Sequence, residues 1–268
     1  MAKYKKKRVR ELRHDRFRDT TMNYLDRLGN LLEGQGRTIL YGLGGALLAV
    51  LVIVFFVKWS NRKNDEARHA LGRAITITKA PVLSIPLSDG SEPSFSSEKE
   101  RAQRAVEEFE KVAAKYGDPY QSQSRYFIAT NRLLLDREKA MSELAELSNN
   151  DISEVAALSK FALAQAKESD GKLDEAAQLY SELARLNNQT VTPQAANLRL
   201  AKIYEKQGKK KEAADVLFNI VDAARKARGS DDKPVPTSGA VREAADALEK
   251  LDPARYAQLP PESPTLAG

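Results

Sequence analysis

Between positions 98 and 251 apolar residues recur at three- and four-residue steps, in a background rich in Ala, Leu, Glu and Lys. That period belongs to helices with one buried face, so the fold class expected is all-α. Strand alternation is confined to ITIT at 75–78, too short to outweigh its helical surroundings. Ala67, Leu71 and Ala74 carry the pattern upstream and predict a first helix over roughly 59–78. Residues 80–97 break it, because Pro81, Pro86 and Pro93 with six serines cannot continue a helix. A plain exposed loop is the default reading of this insert, and an extended partner-binding segment around VLSIPL is the alternative. Residues 226–238 predict a second loop, and 240–251 a final helix with Ala244, Ala247, Leu248 and Leu251 on its apolar face. Pro253 is expected to stop that helix, and 252–268 to form a disordered tail.

The helical pattern repeats. Ala105, Ala140, Ala176 and Ala213 are spaced by 35, 36 and 37 residues. Four residues after each stands Phe109, Leu144, Tyr180 or Leu217, and seven after each stands Val112, Leu147, Leu183 or Ile220. Upstream, Ala129, Ala164 and Ala201 keep the spacing, as do the turn residues Asp136, Gly171 and Gly208. A small alanine lets two helices of a hairpin approach, and the larger residues on the same face fill the groove. The turn residue is expected to end the first helix of each pair. One hairpin cannot bury its own face, so copies stack.

A different pattern stands ahead of the repeats. Thr38 to Val57, TILYGLGGALLAVLVIVFFV, is twenty residues without a charge, set between Arg37 and Lys58. As a helix it would span roughly 30 Å, the thickness of a bilayer's hydrocarbon core. Tyr41 and Trp59 stand where amphipathic rings favour the headgroups. The 37 residues before it are too many for a cleaved signal, and VKWSNRK after it holds no small-x-small site. The segment therefore predicts a retained single-pass anchor.

Residues 1–37 hold eleven Lys and Arg against five Asp and Glu, while the rest of the chain balances at 32 of each. The net charge of +6 thus resides in this tail. Lys5, Lys6, Lys7, Arg8 and Arg10 are its densest part. Three readings apply: a topology determinant that meets anionic headgroups, a dock for an acidic or RNA-rich partner, or specific DNA binding, for which 37 residues leave no room. Close to the span the count runs the other way, with Lys58, Arg62, Lys63, Arg68 and Arg73 after it against Arg18, Arg27 and Arg37 before it. The whole tail outweighs this, because long domains translocate with little regard to charge. The expected order is a basic cytoplasmic tail (1–37), a transmembrane helix (38–57), a helical repeat domain (58–251) and the tail.

Catalytic chemistry is not evident. The chain has no cysteine, and its two histidines, His14 and His69, flank the apolar segment. GLGG at 42–45 lies inside that segment, with no Lys-Ser or Lys-Thr following as a phosphate loop requires. No nucleophile, metal cluster or cofactor motif is found, so no enzyme activity, cofactor, metal or small-molecule substrate is expected, and nucleic acid is not an expected partner.

The segments DGKLDEAAQLYSELARL and RLAKIYEKQGKKKEAADVLFNIV resemble tetratricopeptide repeats, and the resemblance covers about 98–225. The tryptophan usual at the start of such repeats is missing, and the turn at Asp136 lacks glycine. The order of parts, with phrases such as AVEEFEKVAAKYGDPY, further resembles the ancillary SecYEG translocon subunit family of bacterial inner membranes. That resemblance implies a periplasmic repeat domain contacting translocon subunits, periplasmic chaperones or exported clients. Repeat geometry places Gln123, Tyr126, Thr130, Gln165, Lys202 and Glu205 on a concave face made by the first helix of each hairpin. The competing readings are a scaffold for cell-wall or outer-membrane assembly, and an import receptor of opposite orientation.

Overall fold

The computed structural model describes residues 52, 62–83, 93–186, 188–229 and 233–261. The chain divides into two units, 1–65 and 66–268. In the first unit Val52 and residues 62–65 are described, all helical and exposed. The basic tail with Lys5, Lys6, Lys7, Arg8 and Arg10, and the segment 38–57 apart from Val52, lie outside the described residues. Among the described residues no helix is long and apolar enough to cross a membrane.

The second unit is a row of helices. They are α1 (66–79, part of a helix over 62–79), α2 (Glu98–Lys115), α3 (Tyr120–Arg132), α4 (Arg137–Leu147), α5 (Ser153–Ser169), α6 (Leu173–Arg185), α7 (Pro193–Lys206), α8 (Lys210–Lys226), α9 (Gly239–Leu251) and the single turn α10 (Pro253–Tyr256). ITIT at 75–78 is helical, as its surroundings require. From α2 to α10 each helix packs on the next in sequence.

The repeat register is the core. Ala105, Ala140, Ala176 and Ala213 are fully buried, and so are Phe109, Leu144, Tyr180 and Leu217 four residues on. The first-helix alanines Ala129, Ala164 and Ala201 are equally inaccessible. A methyl group at each crossing brings the backbones together, and the larger residues close the space on either side. Four successive apolar clusters result: α1 with α2 and α3, α3 with α4 to α6, α5 with α6 and α7, and α7 with α8 to α10. These are tetratricopeptide-like hairpins: α1/α2, α3/α4, α5/α6 and α7/α8, closed by α9 and α10.

Two turns follow one design. Gly171 and Gly208 have φ of 75° and 74°. At the first, the amide of Lys172 donates to Lys167 O at 2.9 Å and that of Gly171 to Glu168 O at 3.1 Å. At the second, Lys209 donates to Tyr204 O at 2.8 Å and Gly208 to Glu205 O at 2.9 Å. This is the Schellman ending, which needs a left-handed residue and hence glycine. Asp136 departs from the expectation that it ends a helix. Leu135 and Asp136 both donate to Arg132 O, which winds α3 out in a tight turn, and the Asp136 carboxylate then accepts from Lys139 N at 3.2 Å as the N-cap of α4. A residue that caps the next helix can replace one that ends the last.

The insert is tied at its base. Phe95 is buried, its amide donates to Pro81 O at 3.1 Å, and Leu83 N donates to Phe95 O at 2.9 Å. Residues 84–92, with most of VLSIPL, lie outside the described residues.

The expected apolar face of α9 packs onto the end of the stack: Ala244 and Leu248 are buried together with Val241 and Ala245, and the half-buried Ala247 and Leu251 lie against the same cluster. One expectation about the end of the unit is corrected. The disordered tail does not begin at 252. Pro253 opens α10 with Asp252 as its N-cap, Leu259 is buried in the last apolar cluster, and an Arg225 guanidinium donates to Pro260 O at 2.5 Å. A proline that stops one helix suits the first position of the next, and Leu259 anchors the stretch after that turn. Residues 262–268 lie outside the described residues.

The left-handed turn generates a test. A Cβ at Gly208 would meet nothing within 4 Å, so backbone conformation alone sets the effect. Gly208→Ala is expected to lower unfolding free energy in urea by about 1–2 kcal/mol. Gly72→Ala, inside α1 and also in open space, is expected to raise it by roughly 0.5–1 kcal/mol. Effects of the same sign would refute the turn assignment.

Candidate functional site on the first-helix face

First helices α3, α5 and α7 carry the residues selected by repeat geometry. Thr130, Gln165 and Lys202 occupy one register position on three successive first helices, immediately after the buried alanines 129, 164 and 201. α3 touches α5, and α7 touches α9. α5 and α7 share an apolar cluster with α6 and are also joined by an ion pair, in which Lys206 Nζ lies 2.5 Å from a Glu168 carboxylate oxygen.

The six selected residues differ in how free they are. Gln165 and Glu205 are exposed. Gln123 is half-buried. Thr130 is half-buried too, and its hydroxyl donates to Phe127 O in its own helix at 3.0 Å. Tyr126 lies against the cluster between α3 and α6 and meets the Phe127 ring edge-on at 5.3 Å. Burial pushes its phenol above the ordinary range. Lys202 is ion-paired to Glu243 on α9. The Lys202 hydrogen bond is the main cause that holds the Glu243 carboxyl below its usual range. Tyr126 and Lys202 are therefore partly committed to structure, whereas Gln165 and Glu205 are open to a partner.

Sequence patterning does not reveal the residues that organise this face. Glu168 accepts from Tyr180 Oη at 3.1 Å as well as from Lys206. Burial alone would raise its pKa, but the Lys206 hydrogen bond and charge, the Tyr180 hydroxyl and the Arg199 charge outweigh burial and hold the carboxyl low. Tyr180 is pushed up, first by burial and then by the Glu168 charge. Glu168 and Glu205 share a register position 37 residues apart, a signal that spacing alone could have yielded. The pairings Glu168–Lys206 and Lys202–Glu243 span 38 and 41 residues and have no local signature.

A second surface is absent from the sequence pattern. Between the second helices α4 and α6, above α5, lies a cleft of about 470 Å³ with Met141, Leu163 and Leu179 among its lining. Among the described residues no group of three or more His, Cys, Asp or Glu is placed to hold a metal ion. His69 is exposed on α1, and His14 lies outside the described residues. The site geometry offers exposed polar side chains, Gln165 and Glu205, for recognition.

No protein-family model and no curated protein matches the chain. Two solved structures are similar to it, a kinesin light chain of Podosopora anserina with nearly identical TPR-like repeats and a single-substitution variant of that protein. Each is 18% identical over 72% of this chain and 88% of the other, with a TM-score of 0.48. The hairpin assignment comes from this chain's own register of buried alanines.

Glu168 supplies a pH test. A carboxyl whose folded pKa is depressed contributes stability above its unfolded value, near 4.5, and loses it as pH falls through the folded value. The melting temperature should fall as pH drops below that point. Glu168→Gln should make this acid loss shallower, at a cost of about 1 kcal/mol near neutrality. Superimposable melting curves for the two proteins across the acid range would remove Glu168 from the network.

Proposed function

We propose that this protein is a membrane-anchored interaction scaffold or chaperone adaptor at the periplasmic face of the Sec translocon, with its N-terminus in the cytoplasm of a bacterial cell. The observation that carries the reading is a stack of helical hairpins with exposed polar side chains on its first helices, following an uncharged twenty-residue segment and a basic tail. Stacked hairpins present side chains from successive repeats to one extended partner, which suits binding and assigns no catalytic step. The first-helix face around Gln123, Thr130, Gln165 and Glu205 would receive the partner, with Tyr126 and Lys202 as its half-buried border. Translocon subunits, periplasmic chaperones and exported clients are the partners proposed. Lys5, Lys6, Lys7, Arg8 and Arg10 would hold the tail at the inner leaflet through anionic headgroups.

Photo-crosslinking in cells from Gln165, the open position at the centre of the face, tests this. Adducts with translocon subunits or periplasmic chaperones are expected. Adducts with wall- or outer-membrane-assembly proteins would reassign the scaffold to that task, and adducts with cytosolic proteins alone would reverse the orientation. Charge reversal at Lys202 with Glu205 should reduce these adducts several-fold, roughly the effect of one or two surface charge contacts, while circular dichroism stays helical.

A further inference from the structure

The α4–α6 cleft has a counterpart in the same molecule that is filled. Counted from the buried alanines Ala140 and Ala213, Ser142 and Ala145 on α4 occupy the positions of Asp215 and Phe218 on α8. On α8 those positions are covered by α10. The Arg255 guanidinium pairs with Asp215 and lies 5.2 Å from the centre of the Phe218 ring, and Tyr256 packs against the same cluster. A single helical turn bearing a guanidinium and an apolar ring thus covers the outer face of a second helix. On α4 the two positions are small and exposed, and the space beside them is open.

The charges at that opening select the sign of the group that enters. The cation in its lining, Lys167, is neutralised by Glu175 at 2.6 Å. Glu138 is exposed on the α4 side and has no ion-pair partner among the described residues. Apolar surface comes from Met141, Leu163 and Leu179, and Leu134 and Leu135 are exposed in the turn that leads into α4. The insert 84–92 is an unsuitable occupant, because it carries Asp89 and Glu92 and no cation.

From this geometry we infer that the α4–α6 cleft is a second docking site, for a short basic and apolar segment of a protein partner, with an Arg or Lys meeting Glu138 and apolar side chains over Met141, Leu163 and Leu179. The inference stands apart from the first-helix face and from the membrane segment. It makes the molecule two-sided, with polar recognition on first helices and basic-apolar recognition between second helices.

The test uses the full chain in phosphatidylcholine nanodiscs and a labelled octapeptide of Leu and Arg with one Tyr, followed by fluorescence anisotropy against empty nanodiscs. Saturable binding is expected, lost when Glu replaces Arg in the peptide. Glu138→Lys should weaken it roughly three- to tenfold, the range for one or two exposed charge contacts. Ser142→Trp, an exposed position where the indole would fill the cleft, should weaken it by about tenfold or more with the thermal melt unchanged. Gln165→Lys should leave it unaltered. Absence of saturable binding, equal binding of the Glu peptide, or indifference to both α4 substitutions overturns the inference. Loss through Gln165→Lys alone moves the site to the first-helix face, and crosslinking from Gln165 is judged independently of either result.

Discussion

Close approach at the hairpin crossings is the constraint on which the other contacts depend. Seven alanines, at 105, 129, 140, 164, 176, 201 and 213, sit where two backbones meet, and all are fully buried. A larger side chain there would push the helices apart and open the space that Phe109, Leu144, Tyr180 and Leu217 fill. With the crossings set, polar side chains at the next register position are carried outward on successive first helices. The candidate site is thus a by-product of a packing rule, which is why its members recur at the spacing of the repeats.

Ionic contacts divide along the same lines. Arg132 on α3 reaches Glu110 on α2 at 3.0 Å and also pairs with Glu143 on α4, and Arg137 on α4 holds Asp170 after α5 at 2.7 Å. With Glu168–Lys206 and Lys202–Glu243 they tie each hairpin to the next. Arg132 is well covered, at 13% side-chain exposure, so its pairs are screened less than those at the surface. The apolar register sets where the helices lie, and these pairs oppose sliding of one hairpin along another.

The apolar core is legible in the sequence because every repeat writes it again: the spacing of 35, 36 and 37 places twelve second-helix positions, and all twelve are buried. The features that escape such a reading do not repeat. Alignment with Gly171 and Gly208 makes Asp136 a helix end, yet it caps the following helix. Periodicity puts Ala244, Ala247, Leu248 and Leu251 on the apolar face of α9, where all four meet the last cluster, but the contribution of α10 to that cluster cannot be read from α9. Pro253 and Leu259 resemble a tail by composition, and the stretch gains its structure from the Asp252 cap, from packing on α9 and from long-range partners on α8. Within the candidate site, the choice of Gln165 and Glu205 needs only register, whereas the pairing of Lys202 with Glu243 needs three dimensions. The α4–α6 cleft depends on side chains that are small, and a small residue at one position carries no pattern.

The four apolar clusters form a chain in which each borders only its neighbours. Order in such an array has a correlation length rather than a single cooperative boundary. Slow amide exchange should peak near the middle helices and decay toward both ends. A disturbance at α10 would be felt strongly in α8, weakly in α6, and hardly at all in α2. Two surfaces several hairpins apart can therefore change independently, because little in the core obliges one to report on the other.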